Sequence, residues 1–138
     1  MLRTLNILLV DDDVIDRELF IDAMNLVGNN YEVAEAGNGQ LALDYLRKTT
    51  IPPHLIILDL NMPVKDGRET LKELKEDPLL KSIPVCIMST SGAHFDVQSA
   101  YEEGASLFLV KPLEFDKLIE MLTSLLTLFY KYVSFKKS

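Results

Sequence analysis

The sequence is poor in the residues that mark several large classes of protein. It contains one cysteine, Cys86, which lies in an apolar run, so an internal disulfide is excluded and a small buried hydrophobe in a reducing compartment is expected. Its 14 Lys and Arg residues are outnumbered by 21 Asp and Glu residues, which gives a formal net charge of −7. Because nucleic acids and anionic membranes bind clustered cationic side chains, this balance argues against both as the main partner.

Long uninterrupted hydrophobic runs are absent as well. The longest apolar region, Leu118 to Val133, is broken by charged and hydroxyl side chains, including Glu120 and Lys131, and is therefore not a membrane span. No internal repeat, low-complexity tract or linker interrupts the 138 residues, a length typical of one domain with a real core. We therefore expect a single soluble, cytoplasmic domain over residues 1–138.

Short apolar runs alternate with amphipathic segments along the chain, which predicts alternating strands and helices. The strand-like runs are NILLV (6–10), YEVAEA (31–36), LIILD (55–59), PVCIMS (84–89) and LFLV (107–110). The helical patterns lie near residues 14–27, 39–48, 67–76, 94–104 and 115–134. Such alternation predicts an α/β fold built from βαβ units, with a parallel sheet covered on both faces.

Chemically active residue types stand at the carboxyl ends of four predicted strands. In strand order they are Asp11, Asp12 and Asp13, then Asp59, then Ser89 and Thr90, and finally Lys111. In an open parallel sheet these ends lie at one edge, which is where ligands bind. Acids from two strands, a hydroxyl from a third and a lysine from a fourth are therefore expected to form one site.

The residue types predict the chemistry of that site. Clustered carboxylates without His or Cys offer only oxygen ligands, which favours Mg²⁺ over zinc or copper. Two unit charges about 4 Å apart interact by roughly 4 kcal/mol at an effective dielectric near 20, so the acids need a cation, and Lys111 alone cannot neutralise them. A metal ion, an ammonium and a hydroxyl donor around one carboxylate are what a transferring phosphoryl group requires.

Four motifs occur in order along the chain: VDD at 10–12, LDLNMPVKDG at 58–67, MSTSG at 88–92 and LVKP at 109–112. Taken together, they resemble the receiver domain of two-component response regulators, the flavodoxin-like group that includes the chemotaxis regulator. The resemblance covers about residues 5–125. It implies a doubly wound, five-stranded parallel sheet of order 2-1-3-4-5 with five helices, the fifth extended to about residue 134. Nothing after that helix resembles an output domain, so a protein–protein contact is expected to carry the signal.

Carried over residue by residue, the resemblance assigns the acidic residues their roles. Asp59 would be the phospho-acceptor, taking a phosphoryl group from the phosphohistidine of a sensor histidine kinase or phosphotransfer protein. Asp11 and Asp12 would bind one Mg²⁺ ion, together with Asp59 and the backbone carbonyl of Asn61. Asp13 aligns with a variable position and is expected to be solvated.

The resemblance also assigns the groups that respond to phosphorylation. Lys111 and Ser89 would bind the phosphoryl oxygens, and Thr90 competes with Ser89 for this switch role. Phe108 falls at the position of the family's switch aromatic, where Phe replaces the usual Tyr, although an ordinary core Phe is the alternative. The Lys111–Pro112 bond resembles a cis peptide of the family, which would aim the lysine inward.

Two further positions are expected to tune the lifetime of the phosphoryl group. Asn61 and Ser91 lie two residues beyond Asp59 and Ser89, where their side chains can order or block the attacking water.

Two other function classes compete with a phosphorylated receiver. A phosphatase or phosphotransferase of the haloacid-dehalogenase type also forms an aspartyl phosphate, but it needs an acid two residues after the nucleophile, where this chain has Asn61. A degenerate receiver would have lost Asp12, Asp59 or Lys111, and none is lost. We therefore expect self-phosphorylation with slow self-dephosphorylation, rather than enzymatic turnover.

The predicted fifth helix is apolar on more than one side. Its first stripe, suited to cover the sheet, consists of Leu118, Leu122, Leu125 and Phe129. A second stripe consists of Met121, Leu128, Tyr132 and Phe135, with Ile119, Leu126, Tyr130 and Val133 beside it. Packing against the first helix or a neighbouring helix is one explanation. The favoured one is a symmetric homodimer through helix four, strand five and helix five.

Overall fold

A computed structural model of the chain describes residues 4–28, 30–62, 64–90, 92 and 94–135. Its strands are β1 (Leu5–Val10), β2 (Tyr31–Ala36), β3 (Leu55–Leu58), β4 (Val85–Ser89) and β5 (Leu107–Val110). Its helices are α1 (Val14–Val27), α2 (Gly39–Lys48), α3 (Gly67–Glu76), α4 (His94–Glu102) and α5 (Phe115–Lys131). The strands form one parallel sheet of order β2-β1-β3-β4-β5, which confirms the expected architecture.

Two apolar layers cover the two faces of this sheet. One layer contains α2, α3 and Ala100 of α4, and the other contains α1 and α5. Strands β3 and β4 are buried along their whole length, because each has a strand on both sides and helices on both faces. Cys86 is fully buried in the α1/α5 layer, as expected for a small hydrophobe. None of the described helices is long and apolar enough to cross a membrane.

Two helices end before their predicted limits. α4 ends at Glu102 rather than near residue 104, because Gly104 turns the chain with a φ of +101°, which glycine tolerates best. α5 ends at Lys131 rather than near residue 134, and the amides of Tyr132 and Val133 both donate to the carbonyl of Leu128, at 3.0 and 3.2 Å. The chain leaves the helix at this point.

The first stripe of α5 packs on the sheet as predicted, and all four of its residues are buried. The second stripe is divided: Leu128 and Tyr132 are exposed, whereas Phe135 packs within the chain. The ring of Phe135 lies 5.0 Å from that of His54 and 6.2 Å from that of Phe129. Leu126, beside the stripe, is fully buried, so packing within the chain accounts for Phe135 and Leu126.

The ends of the strands bring the candidate residues to one edge. Val10 of β1 pairs with Leu58 of β3, so Asp11 and Asp59 leave neighbouring strands at the same level. The Asp59 amide continues this ladder by donating to the carbonyl of Val10 at 2.9 Å. Lys111 follows β5 at the same edge of the sheet.

The loop after β3 contains a strained residue. Val64 has a φ of +69° and a side chain that is 83% exposed. A β-branched side chain crowds the backbone in this left-handed region, whereas Asn tolerates it. We therefore expect Val64→Asn to raise the free energy of unfolding by about 1 kcal/mol, measured by urea denaturation. Leu79→Asn is the control, since Leu79 is 87% exposed and lacks a positive φ. An equal change in both variants would contradict the strain.

Candidate functional site

Three carboxylates converge at the carboxyl edge of the sheet. Asp11, Asp12 and Asp59 each offer one oxygen, and these oxygens lie within 4.8 Å of one another. Asp11 is 5% exposed, Asp59 is half-buried and Asp12 is exposed, so the cluster opens to solvent on the side of Asp12. All three positions are those expected from the sequence.

Burial and a neighbouring acid perturb the ionisation of Asp59. Its pKa is raised from 3.8 to about 6, first by burial and then by the negative charge of Asp11, while Lys111 acts in the opposite direction. The ionised carboxylate therefore lacks compensating positive charge. A divalent cation would supply it, and an all-oxygen donor set fits Mg²⁺ or Mn²⁺.

Asp11 is held on several sides. Its Oδ1 accepts from the amide of Asp13 at 2.9 Å, and its Oδ2 accepts from Lys111 Nζ at 3.1 Å. Its backbone carbonyl accepts from Arg17 Nη1 at 2.5 Å, and its amide donates to the carbonyl of Ala36. These contacts leave the Asp11 carboxylate little freedom to turn away from the cluster.

Lys111 lies between two acids. Nζ is 3.1 Å from Asp11 Oδ2 and 3.2 Å from Asp16 Oδ2. The pKa of Lys111 is raised: burial alone would lower it, but the two carboxylates outweigh that effect. The expected cis bond between Lys111 and Pro112 is wrong, because the bond is trans. The backbone of Lys111 is held by the sheet, because its amide donates to the carbonyl of Ser89 at 2.7 Å.

Asp13 and Asp16 have defined places that the sequence interpretation missed. Asp13 is exposed, as expected, but it is the N-cap of α1, and its Oδ1 accepts from the amides of Ile15 and Asp16 at 2.9 and 3.2 Å. An acid immediately before an apolar helical pattern is a recognisable N-cap signal. The pairing of Asp16 with Lys111 has no such local signal, since the residues are 95 positions apart.

The two candidate switch hydroxyls differ in exposure. Ser89, the last residue of β4, is fully buried, whereas Thr90 is exposed. Thr90 is on the wall of a cavity of about 210 Å³ that also contacts Asp59 and Lys111. Ser91 lies outside the described residues.

The remaining candidate residues, Asn61 and Phe108, have different surroundings. The amide of Asn61 donates to Asp59 Oδ1 at 3.4 Å, and its side chain is exposed. Phe108 is half-buried and packs on the layer formed by α2, α3 and α4. Its amide donates to the hydroxyl of Tyr101 on α4, at 3.0 Å. This bond ties β5 to α4, a contact that the sequence analysis did not anticipate.

The pKa of Asp59 predicts how its replacement changes stability. This pKa is about 6 in the folded protein, compared with 3.8 for the unfolded chain, so the folded state binds the proton more tightly. Ionisation of Asp59 therefore lowers the free energy of unfolding as the pH rises from about 4 to about 6. For a fully buried group, this difference in pKa would change the free energy of unfolding by about 3 kcal/mol. Because Asp59 is only half-buried, solvent screens its charge, and we expect Asp59→Asn to raise the free energy of unfolding at pH 7 by about 1 kcal/mol.

Urea denaturation in EDTA from pH 4 to pH 8 measures this effect. The variant should match the wild type near pH 4 and exceed its stability by a maximal amount at and above pH 7. Adding Mg²⁺ should narrow the difference, because a ligand of the folded wild type stabilises it. A difference that is constant across the pH range would contradict this explanation.

The chain is similar to known response regulators in both sequence and structure. Residues 7–123 match the family model described as response regulator receiver domain. Response regulator Rcp1 of Synechocystis sp. is 36% identical over 120 residues, covering 83% of this chain and 82% of Rcp1. The crystal structure of the phosphorylated cyanobacterial phytochrome response regulator RcpA has a TM-score of 0.89 at 32% identity, covering 97% of this chain and 99% of RcpA.

The crystal structure of the Mn²⁺-bound form of response regulator Rcp1 is also similar. Its TM-score is 0.85 at 32% identity, and the match covers 96% of this chain and 99% of that structure. A divalent cation thus binds a relative of the same fold. The acidic cluster of Asp11, Asp12 and Asp59 is able to bind one here.

Proposed function

The chain belongs to the response regulator receiver family, and on that premise we propose that it is a signalling switch phosphorylated on Asp59. The observation that carries this proposal is the cluster of Asp11, Asp12 and Asp59 beside the ammonium of Lys111. In this role Asp59 is the nucleophile, and it receives the phosphoryl group from a histidine kinase or a phosphotransfer protein. The protein acts on its own side chain and does not turn over a substrate.

Each neighbouring group has a part in this transfer. Asp11, Asp12 and Asp59 would hold Mg²⁺ with the carbonyl of Asn61, and the bound ion would supply positive charge to the phosphoryl oxygens. Lys111 stabilises the same oxygens as a point charge. The side chains of Asn61 and Ser91, two residues beyond Asp59 and Ser89, would influence the water that later removes the phosphoryl group.

The switch would work through the ends of β4 and β5. A phosphoryl group adds roughly −1.5 to −2 charges and three acceptor oxygens. The hydroxyl of Ser89, or of the neighbouring Thr90, would donate to one of these oxygens. Phe108, on the outer strand β5, would then rotate in response to phosphorylation. We place the protein in the cytoplasm, where the free thiol of Cys86 stays reduced.

Dependence on Mg²⁺ tests the proposed chemistry. The wild-type protein should be labelled by acetyl phosphate in Mg²⁺ and should lose the labelling in EDTA, because the incoming charge then meets bare carboxylates. Restoring Mg²⁺ should restore it. Labelling that ignores chelation would show that the acidic cluster has another role.

We propose that a protein phosphodonor docks on the apolar rim beside this cluster. Leu19, Leu113 and Phe115 line the cavity that contains Asp59, and they are 42%, 96% and 38% exposed. Exposed apolar side chains grouped beside a reactive carboxylate are typical of a contact surface. The donor would cover this rim and shield the transfer from bulk water.

A substitution in this rim should impair phosphotransfer from a protein donor but not from a small phosphodonor. Leu113→Glu should lower phosphotransfer from a cognate kinase about tenfold, corresponding to about 1.4 kcal/mol, and leave labelling by acetyl phosphate unchanged. Leu79→Glu is the control, because Leu79 is 87% exposed and precedes β4 at the opposite edge of the sheet. Equal losses from both donors would place the defect in the chemistry instead of the docking.

We also propose a symmetric homodimer through α4, β5 and α5. Three exposed apolar residues support it: Val110 is 53% exposed, Leu128 49% and Tyr132 75%. Phe135 and Leu126 take no part, because they pack within the chain. A standard interface buries about 800 Å² per partner.

Light scattering tests the dimer. The double variant Leu128→Glu with Tyr132→Glu should remain folded and be a monomer, while the wild type dimerises. A wild type that stays monomeric at high micromolar concentration, with and without acetyl phosphate, would refute the dimer. The two exposed side chains would then serve a different partner.

A further inference from the structure

Lys111 is paired with an acid on α1 in addition to Asp11. Its Nζ lies 3.1 Å from Asp11 and 3.2 Å from Asp16, and its side chain is only 18% exposed. Across the described part of the chain, these are the ion pairs of Lys111, and Asp59 is not among them. The ammonium thus lies between β1 and α1.

The position of Asp16 is built into the start of α1. Its amide donates to Oδ1 of the N-cap Asp13 at 3.2 Å, which fixes the first turn. A carboxylate in the first turn is also favoured by the helix dipole. Asp16 lies outside the cluster formed by Asp11, Asp12 and Asp59.

We propose that Asp16 is a positioning residue that competes with the phosphoryl group for Lys111. The inference rests on the proposed phosphorylation of Asp59. A lysine ammonium has three donors, and two of them are engaged by Asp11 and Asp16. Donation by Lys111 to the phosphoryl oxygens as well divides its single positive charge among more anions, so it weakens the pairing with Asp16. The strength of this pair therefore sets how firmly the domain holds its phosphorylated state.

Binding of a phosphoryl mimic measures the competition directly. Beryllofluoride, added with Mg²⁺, occupies the place of a phosphoryl group on a carboxylate, and its bound form can be quantified by ¹⁹F NMR. Asp16→Asn should bind it about fivefold more tightly than the wild type, because the neutral amide holds Lys111 less strongly. Asp16→Glu keeps the charge and should restore an affinity near that of the wild type.

A control variant separates this effect from a general change in charge. Glu18→Gln removes one negative charge from an exposed position on the same helix and should leave the affinity unchanged. An Asp16→Asn affinity equal to or weaker than that of the wild type would overturn the proposal, as would an equal gain in Glu18→Gln. A wild type that binds no beryllofluoride at all would instead refute the phosphorylation of Asp59.

A second readout follows the lysine itself. Nitrogen-15 NMR of the Lys111 ammonium reports how fast its protons exchange with water. In the free protein, Asp16→Asn should exchange faster than the wild type, because one ion pair is gone. With beryllofluoride bound, the two proteins should be alike. Identical exchange in the free proteins would show that Asp16 does not hold the lysine, and would overturn the proposal.

Discussion

Replacing Asp59 by Asn is expected to lower labelling by acetyl phosphate or a cognate kinase at least a hundredfold. The amide of Asn cannot act as the nucleophile, although it matches the carboxylate in shape. The fold should survive, because the change also removes a half-buried charge whose pKa is raised to about 6. Incorporation of radioactive phosphate, followed over time in Mg²⁺, measures the loss.

Asp13→Asn is the matched control for this experiment. It makes the same chemical change in the acidic run, at an exposed position outside the cluster. Asn caps a helix about as well as Asp, so α1 should remain intact. This variant should be labelled like the wild type. Full labelling of Asp59→Asn, at any residue, would refute the assignment of the acceptor.

A methyl group at Gly67 is expected to destabilise the protein strongly. A Cβ there would lie 2.2 Å from the carbonyl oxygen of Asp59 and 2.5 Å from Cα of Leu60, and both are backbone atoms. The Gly67 amide also donates to the carbonyl of Leu60 at 2.9 Å, so the two segments are held together. Gly67→Ala should therefore destabilise the protein by about 3 kcal/mol and displace the segment that carries Asp59.

Gly28→Ala shows whether the effect is local. A Cβ at Gly28 would meet the ring of Tyr31 at 3.6 Å, an ordinary contact, so we expect a change below about 1 kcal/mol. Urea denaturation gives both values, and labelling by acetyl phosphate should fall only in Gly67→Ala. A Gly67→Ala protein as stable as the wild type would show that the loop can move away without cost.

Local sequence patterns predicted the architecture because each element is specified by its own residues. The apolar runs of β3 and β4 are buried throughout, and the helical spacing of Leu118, Leu122 and Leu125 matches the buried face of α5. The meeting of Asp11 with Asp59 was also predictable, since parallel strands place their carboxyl ends at one edge.

Contacts between distant segments were not predictable in the same way. Asp16 and Tyr101 carry ordinary polar groups on helices, and only the packing of α1 and α4 brings them to Lys111 and to the amide of Phe108. The path of the chain after α5 also depends on contacts between distant segments. The sequence pattern placed Phe135 in the stripe expected to bind a partner, since its contact with His54 depends on the placement of β3.

The site of the phosphoryl group is the most direct test of the central claim. Borohydride reduces an aspartyl phosphate to homoserine, which mass spectrometry locates within a peptide. After labelling with acetyl phosphate in Mg²⁺, the wild-type protein should carry homoserine at position 59 and at no other acidic residue. Homoserine at Asp11, Asp12 or Asp13, with an unmodified Asp59, would contradict the proposed function.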